Sequence, residues 1–85
     1  MIAVNEAVVV EGKYDKIKLS ALIDGLIIET NGFQIYKNPE KMNLLRRLAK
    51  ERGLLILTDS DAAGFQIRHY LTGAIGPQYI KQAYI

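Results

Sequence analysis

The chain has no cysteine. Disulfides, thiolate catalysis and cysteine-ligated zinc are therefore excluded, and the absence fits a reducing cytoplasm. Nor does any apolar stretch approach the roughly 20 residues that cross a bilayer, so no membrane partner is expected. The first residues, Met1-Ile2-Ala3-Val4-Asn5-Glu6, lack the basic start of an export signal. Two prolines and seven glycines are too few for disorder. Charge of one sign is scarce as well. Eleven Lys and Arg against nine Asp and Glu leave a net charge of +2, which does not by itself mark a nucleic-acid binder, so the placement of the charges must decide.

What is present is 85 residues, one domain in length, with apolar residues gathered into short runs. Residues 6–10, Glu-Ala-Val-Val-Val, form a β-branched run that predicts a buried strand. Residues 13–23 follow at helical spacing, with Tyr14, Ile17, Ala21 and Leu22 as the inward stripe and lysines opposite. Gly25 stops this helix. Residues 26–29 predict a second strand, and Thr30-Asn31-Gly32 a turn. Asn38-Pro39-Glu40 opens the clearest helix, with a capping residue, a proline suited to the first helical position and an acid at the positive end of the dipole. Its stripe is Leu44, Leu45, Leu48 and Ala49, and Gly53 ends it. Residues 54–58 predict a third strand, apolar on both faces. Residues 62–71 predict a helix with Ile67, Tyr70 and Leu71 inward. Gly76-Pro77 breaks the chain before a fourth strand over residues 79–85.

Continuous apolar strands alternating with helices indicate an α/β fold. The expected form is a doubly wound, four-stranded and mainly parallel sheet, with helices on both faces and strand order 2-1-3-4. Ligands of such sheets sit at the carboxyl ends of the strands. Glu11 directly follows the first strand there, and Asp59 and Asp61 directly follow the third. Residues two apart on an extended segment point to one side, so Asp59 and Asp61 can face one ion. Three bare carboxylates at close range repel one another, and a hard dication removes the repulsion. Mg²⁺, with Mn²⁺ as a substitute, takes oxygen ligands and leaves room for phosphate oxygens. Taken alone, Asp61 reads first as the cap of the helix that starts at Ala62, and only the combination with Glu11 and Asp59 turns the reading to a metal. An EF-hand loop beginning at Asp59 fails, because Ala63 and Tyr70 occupy its fifth and twelfth positions.

Val8-Val9-Val10-Glu11-Gly12-Lys13-Tyr14-Asp15, together with Leu57-Thr58-Asp59-Ser60-Asp61-Ala62-Ala63-Gly64, resembles the two signature motifs of the TOPRIM domain. Within that superfamily, Glu29-Thr30-Asn31-Gly32 and the Ile67-Arg68 pair after Gly64 are most similar to the ribosomal-RNA maturation ribonucleases, the ribonuclease M-five group, and their small relatives. The resemblance covers nearly the whole chain. It implies a single TOPRIM domain over residues 1–85, of a kind excised from a longer chain or lacking substrate-recognition parts.

For function it implies Mg²⁺-dependent phosphodiester chemistry on nucleic acid, of the endoribonuclease type that processes ribosomal RNA in the cytoplasm, with RNA favoured over DNA as partner. The alternatives are a non-catalytic module that binds nucleic acid or a protein partner, and a DNA-acting nuclease core. Glu11, Asp59 and Asp61 are the expected catalytic and metal-binding residues. Gly12, Lys13 and Arg68 are assigned to the phosphate backbone. Asp15, Asn31, Gly32 and Gly64 support the site. Lys16, Lys18, Arg46, Arg47 and Arg52 read as solvated helix faces, His69 as a surface residue, and Phe65, Tyr70, Tyr79 and Tyr84 as packing residues.

Overall fold

The computed structural model describes residues 1–59 and 61–84. Six strands and three α-helices alternate: β1 (Ile2–Ala3), β2 (Ala7–Val10), α1 (Lys13–Ser20), β3 (Ile23–Asp24), β4 (Ile27–Glu29), α2 (Pro39–Arg52), β5 (Leu54–Thr58), α3 (Ala62–Ile75) and β6 (Ile80–Tyr84). Short 3-10 turns over Gly32–Lys37 and Pro77–Tyr79 precede α2 and β6. Four strands form one all-parallel sheet in the order β4-β2-β5-β6. Counting only the four strands that the apolar runs predict, this is the order 2-1-3-4.

The alternation of side chains across each strand divides the core in two. Ala7 and Val9 of β2, Ile28 of β4, and Leu54 and Ile56 of β5 turn to one face, against Met42, Leu45, Leu48 and Ala49 of α2 and Ile67 and Leu71 of α3. Val8, Val10 and Ile27 turn to the other, against Leu19 of α1, with Leu55 and Leu57 partly buried beside them. Helices therefore cover both faces. The second face is covered more thinly, and β5 alternates between buried and half-buried positions rather than being buried throughout.

Three local expectations give way. The stripe assigned to residues 13–23 faces outward: Tyr14 is 81% exposed, Ile17 57% and Leu22 59%. The helix ends at Ser20, and the residues after it leave the helix so that Ile23 and Asp24 can pair with Ile2 and Ala3. What α1 lays on the sheet is Leu19. The third helix continues four residues past Leu71 to Ile75, where Gly76 at φ 120° ends it. The fourth strand runs Ile80–Tyr84, and the predicted Ile85 lies outside the described residues.

Candidate functional site

Parallel strands β2 and β5 are direct neighbours, with Val8 opposite Leu55 and Val9 opposite Ile56. Their carboxyl ends, and hence the segments that carry Glu11 and Asp59, leave the sheet at the same edge. Thr30 and Gly32, after β4, close over the Glu11 loop. Backbone N–H groups of Thr30 and Gly32 donate to the Val10 and Glu11 carbonyls, both at 2.9 Å. The Thr30 hydroxyl, buried, donates to the Glu11 carbonyl at 3.2 Å. Asn31 and Gly32 both take left-handed backbone, at φ 59° and 61°, and this turn brings the Gly32 amide onto Glu11.

The carboxyl of Glu11 is pushed above the ordinary carboxylate range. Burial is the main cause, followed by the negative charges of Asp61, Asp59 and Asp15, while a backbone hydrogen bond from Asp59 works the other way. The four acids thus share one electrostatic neighbourhood. They are not drawn into a tight cage: among the described residues, no three acids or histidines converge closely enough to hold an ion by themselves. The donor set nonetheless suits a hard cation of the Mg²⁺ type, which binds through one or two carboxylates and keeps several waters rather than requiring an all-protein cage.

Asp61 caps a helix. Its Oδ1 accepts from the Gly64 amide at 2.7 Å and caps α3, so the capping reading and the site reading describe the same side chain. Gly64 is required by contact. A Cβ there would collide with the Asp59 carbonyl oxygen and lie 3.0 Å from Thr58 Oγ1 and 3.1 Å from Asp61 Oδ1. The glycine of Asp-x-Asp-x-x-Gly is what lets the aspartate loop fold back onto the helix start. Ser60, within that motif, lies outside the described residues. Gly12 is the opposite case. Its backbone is extended, and a Cβ would meet nothing within 4 Å among the described residues, so none of them demands glycine here and open space lies beside Glu11. Lys13, exposed, begins α1 next to it.

Arg68 is corrected. It is 3% exposed and turned into the protein rather than toward a phosphate. Nε donates to Thr58 Oγ1 at 2.8 Å, Nη2 to the carbonyls of Thr58 and Ala83, and Nη1 to Gln82 Oε1 at 3.3 Å. Its Cζ lies 3.8 Å from the Tyr84 ring centroid. Burial pulls its pKa down, offset by the charges of Tyr84 and Glu11. The guanidinium ties the end of β5 to β6 and, through Thr58, steadies the chain where Asp59 begins. Helical spacing past Gly64 says nothing of this, since the partners come from β5 and β6. Replacing Arg68 by Met should cost about 2 kcal/mol, because buried acceptors lose their donor. Arg68→Lys should recover little, since one ammonium cannot fork to the same oxygens. Urea unfolding measures both. An arginine reaching only toward a phosphate would leave the midpoint unchanged.

Spacing alone missed Lys41 and the role of Thr30. Lys41 Nζ donates to the Glu29 carbonyl at 2.8 Å. In the orientation that its neighbours dictate, the Asn31 amide accepts from Lys41 Nζ at 3.2 Å and donates to Glu29 Oε2 at 3.3 Å. Asn31 is thus fastened beside the site. The packing role assigned to the aromatics holds for Tyr70 and Tyr79, which are partly buried against the core. It fails for Phe65 and Tyr84, which are 49% and 51% exposed. His69 is exposed, as are Lys16, Lys18, Arg46, Arg47 and Arg52. A cleft of about 420 Å³ beside Glu6, Gly53 and Tyr79 lies at the amino ends of the strands, away from the carboxylates.

The raised Glu11 carboxyl sets the sign of a pH effect. A group that holds its proton more tightly when folded stabilises the fold below its unfolded pKa, near 4.5. That contribution is lost as pH rises through the folded value. In chelator, the unfolding midpoint of Glu11→Gln should therefore gain on the parent as pH climbs out of the ordinary carboxylate range. Parallel curves for the two proteins would contradict the assignment.

No family model matches the chain. Among curated proteins, it is 39% identical over 83 residues to a ribonuclease M5 from Borreliella burgdorferi, covering 96% of this chain and 45% of that protein. It is 35% identical over 82 residues to the ribonuclease M5 of Staphylococcus aureus, covering 96% and 44%. It is 36% identical over 72 residues to that of Bacillus subtilis, covering 85% and 38%. The chain thus spans less than half the length of the curated relatives it matches. Among the described residues, no helix is long and apolar enough to cross a membrane.

Proposed function

We propose, from the similarity of the chain to ribonuclease M5 proteins, that it carries the carboxylate centre of a Mg²⁺-dependent endoribonuclease that processes ribosomal RNA in the cytoplasm. The observation that carries the reading is that β2 and β5 are neighbouring parallel strands whose carboxyl ends deliver Glu11, Asp59 and Asp61 to one edge of the sheet, where burial first, and the aspartate charges after it, raise the glutamate. Asp59 and Asp61 would hold the ion with Glu11 beside it, and the bound ion would supply Lewis-acid polarisation of the scissile phosphate.

The chain's own residues supply the rest. A carboxyl that keeps its proton above the usual range suits general acid and base work, so Glu11 Oε exchanges a proton with the attacking or leaving oxygen. Lys13 and the free N–H groups at the start of α1 face an anion, and the open space over Gly12 lets a phosphate approach the backbone. Thr30 and Gly32 hold the Glu11 carbonyl. Gly64 and the Arg68–Thr58 contact hold Asp59.

A purified sample incubated with structured RNA and with DNA, each with and without Mg²⁺, tests the reading. Cleavage of RNA that needs the metal supports it. Metal binding without cleavage favours a non-catalytic module, and cleavage of DNA alone favours a deoxyribonuclease core.

A further inference from the structure

Exposed aromatic rings gather beside the carboxylate edge. Phe33 stacks on Tyr36 with centroids 5.9 Å apart, and Tyr36 meets Tyr70 edge-on at 4.5 Å. Phe65 meets Tyr84 edge-on at 5.9 Å, and Tyr84 rests on the Arg68 guanidinium. Four of these rings remain open to solvent: Phe33 at 51%, Tyr36 at 41%, Phe65 at 49% and Tyr84 at 51%. Both groups adjoin the site through the backbone. Phe33 follows Gly32, whose amide holds Glu11, and the Phe65 amide donates to the Asp61 carbonyl at 3.0 Å.

Between the two groups lies a groove of about 460 Å³, lined by Tyr36, Phe65, Gln66, His69 and Tyr70. Tyr36 and Tyr70 also line a second groove of about 340 Å³, whose cations are Lys37 and Arg46. Among the described residues, no acid lines either groove. Flat π faces followed by cations, with the amide and imidazole groups of Gln66 and His69 available for hydrogen bonds, match unpaired nucleotides. Every base offers a face to stack, and the backbone offers charge to the lysine and arginine. A basic peptide would find no counter-charge here, and a duplex keeps its base faces covered.

We propose that this double groove binds an unpaired stretch of nucleic acid leading to the carboxylate edge, with Tyr36 and Phe65 as the stacking residues and Lys37 and Arg46 on its phosphates. The direction of the track rests on the proposed nuclease reading of that edge. The stacking itself does not, and it needs no metal.

The test is fluorescence anisotropy in chelator, with labelled oligouridine and oligothymidine against a duplex of equal length. The single strands should bind more tightly than the duplex. Tyr36→Leu and Phe65→Leu should each weaken single-strand binding about tenfold, whereas Tyr36→Phe and Phe65→Tyr should bind as the parent does. Lys37→Gln with Arg46→Gln should flatten the salt dependence. Leucine variants that bind normally, or a duplex bound as well as the single strands, would overturn the proposal. So would sedimentation showing that the leucine variants abolish self-association instead, since the face would then be an interface between copies. Metal-dependent cleavage without single-strand binding sinks the groove and spares the nuclease reading. Single-strand binding without cleavage does the reverse.

Discussion

A chain carrying both Asp59→Asn and Asp61→Asn is expected to lose its Mg²⁺ response and keep its fold. Asparagine keeps the size of the side chain and one carbonyl oxygen but gives up the charge that a hard dication requires. The fold should survive because Asp61 caps α3 through one acceptor oxygen, and asparagine caps about as well as aspartate. Without metal, the change also removes two charges that push against Glu11, so the metal-free unfolding midpoint should not fall. Metal-dependent cleavage should drop by more than about 100-fold, since altering even the groups that orient metal ligands costs up to that factor. Calorimetric titration with Mg²⁺ and thermal unfolding separate the outcomes. An unchanged titration refutes the ligand assignment. A collapsed midpoint would mean that the aspartates are structural.

Gly64→Ala should be nearly as damaging, for a reason that involves no charge. The added methyl would collide with the Asp59 carbonyl oxygen, which is backbone. The loop must move away, since the helix start is fixed by Asp61 and by the packing of Ile67 and Leu71 in the core. Overpacking of this kind costs about 1–3 kcal/mol, and here the displaced atoms belong to a proposed ligand. Urea unfolding should show the loss in stability, and Mg²⁺ affinity should fall with it. Gly12→Ala is the control, because its methyl meets no atom of the described residues within 4 Å; its stability should match the parent's. If Gly64→Ala behaved like Gly12→Ala, the contact would carry no weight.

Of the sheet strands, β2, β4 and β5 are legible in the letters as apolar runs, whereas β6, Ile-Lys-Gln-Ala-Tyr, is marked only by the Gly76-Pro77 break before it. β2 is buried at all four positions, and apolar on both faces is the mark of an interior parallel strand. The ends of α2 are legible too, since Asn38, Pro39 and Gly53 act through local backbone chemistry. What resists reading depends on distant partners. β1 and β3 are two residues each, and only their pairing defines them. The apolar spacing of Tyr14 and Ile17 is helical, but spacing does not say which side meets the sheet, and here the answer is Leu19. Helical spacing past Gly64 sends Arg68 toward a phosphate; its actual partners, Thr58 and Ala83, lie 10 and 15 residues away. The acids were legible because their order after strand ends is a sequence property. The role of Gly64 as a contact was not, since the atom it must avoid is a carbonyl brought close only by the fold.

Paramagnetic broadening by Mn²⁺ reaches the central claim most directly. In a ¹H–¹⁵N spectrum, substoichiometric Mn²⁺ should broaden the amides around Glu11 and those from Asp59 to Gly64 together, and added Mg²⁺ should restore both sets at once. Broadening at one of these segments without the other, or only at scattered surface acids such as Glu40 and Glu51, would contradict it.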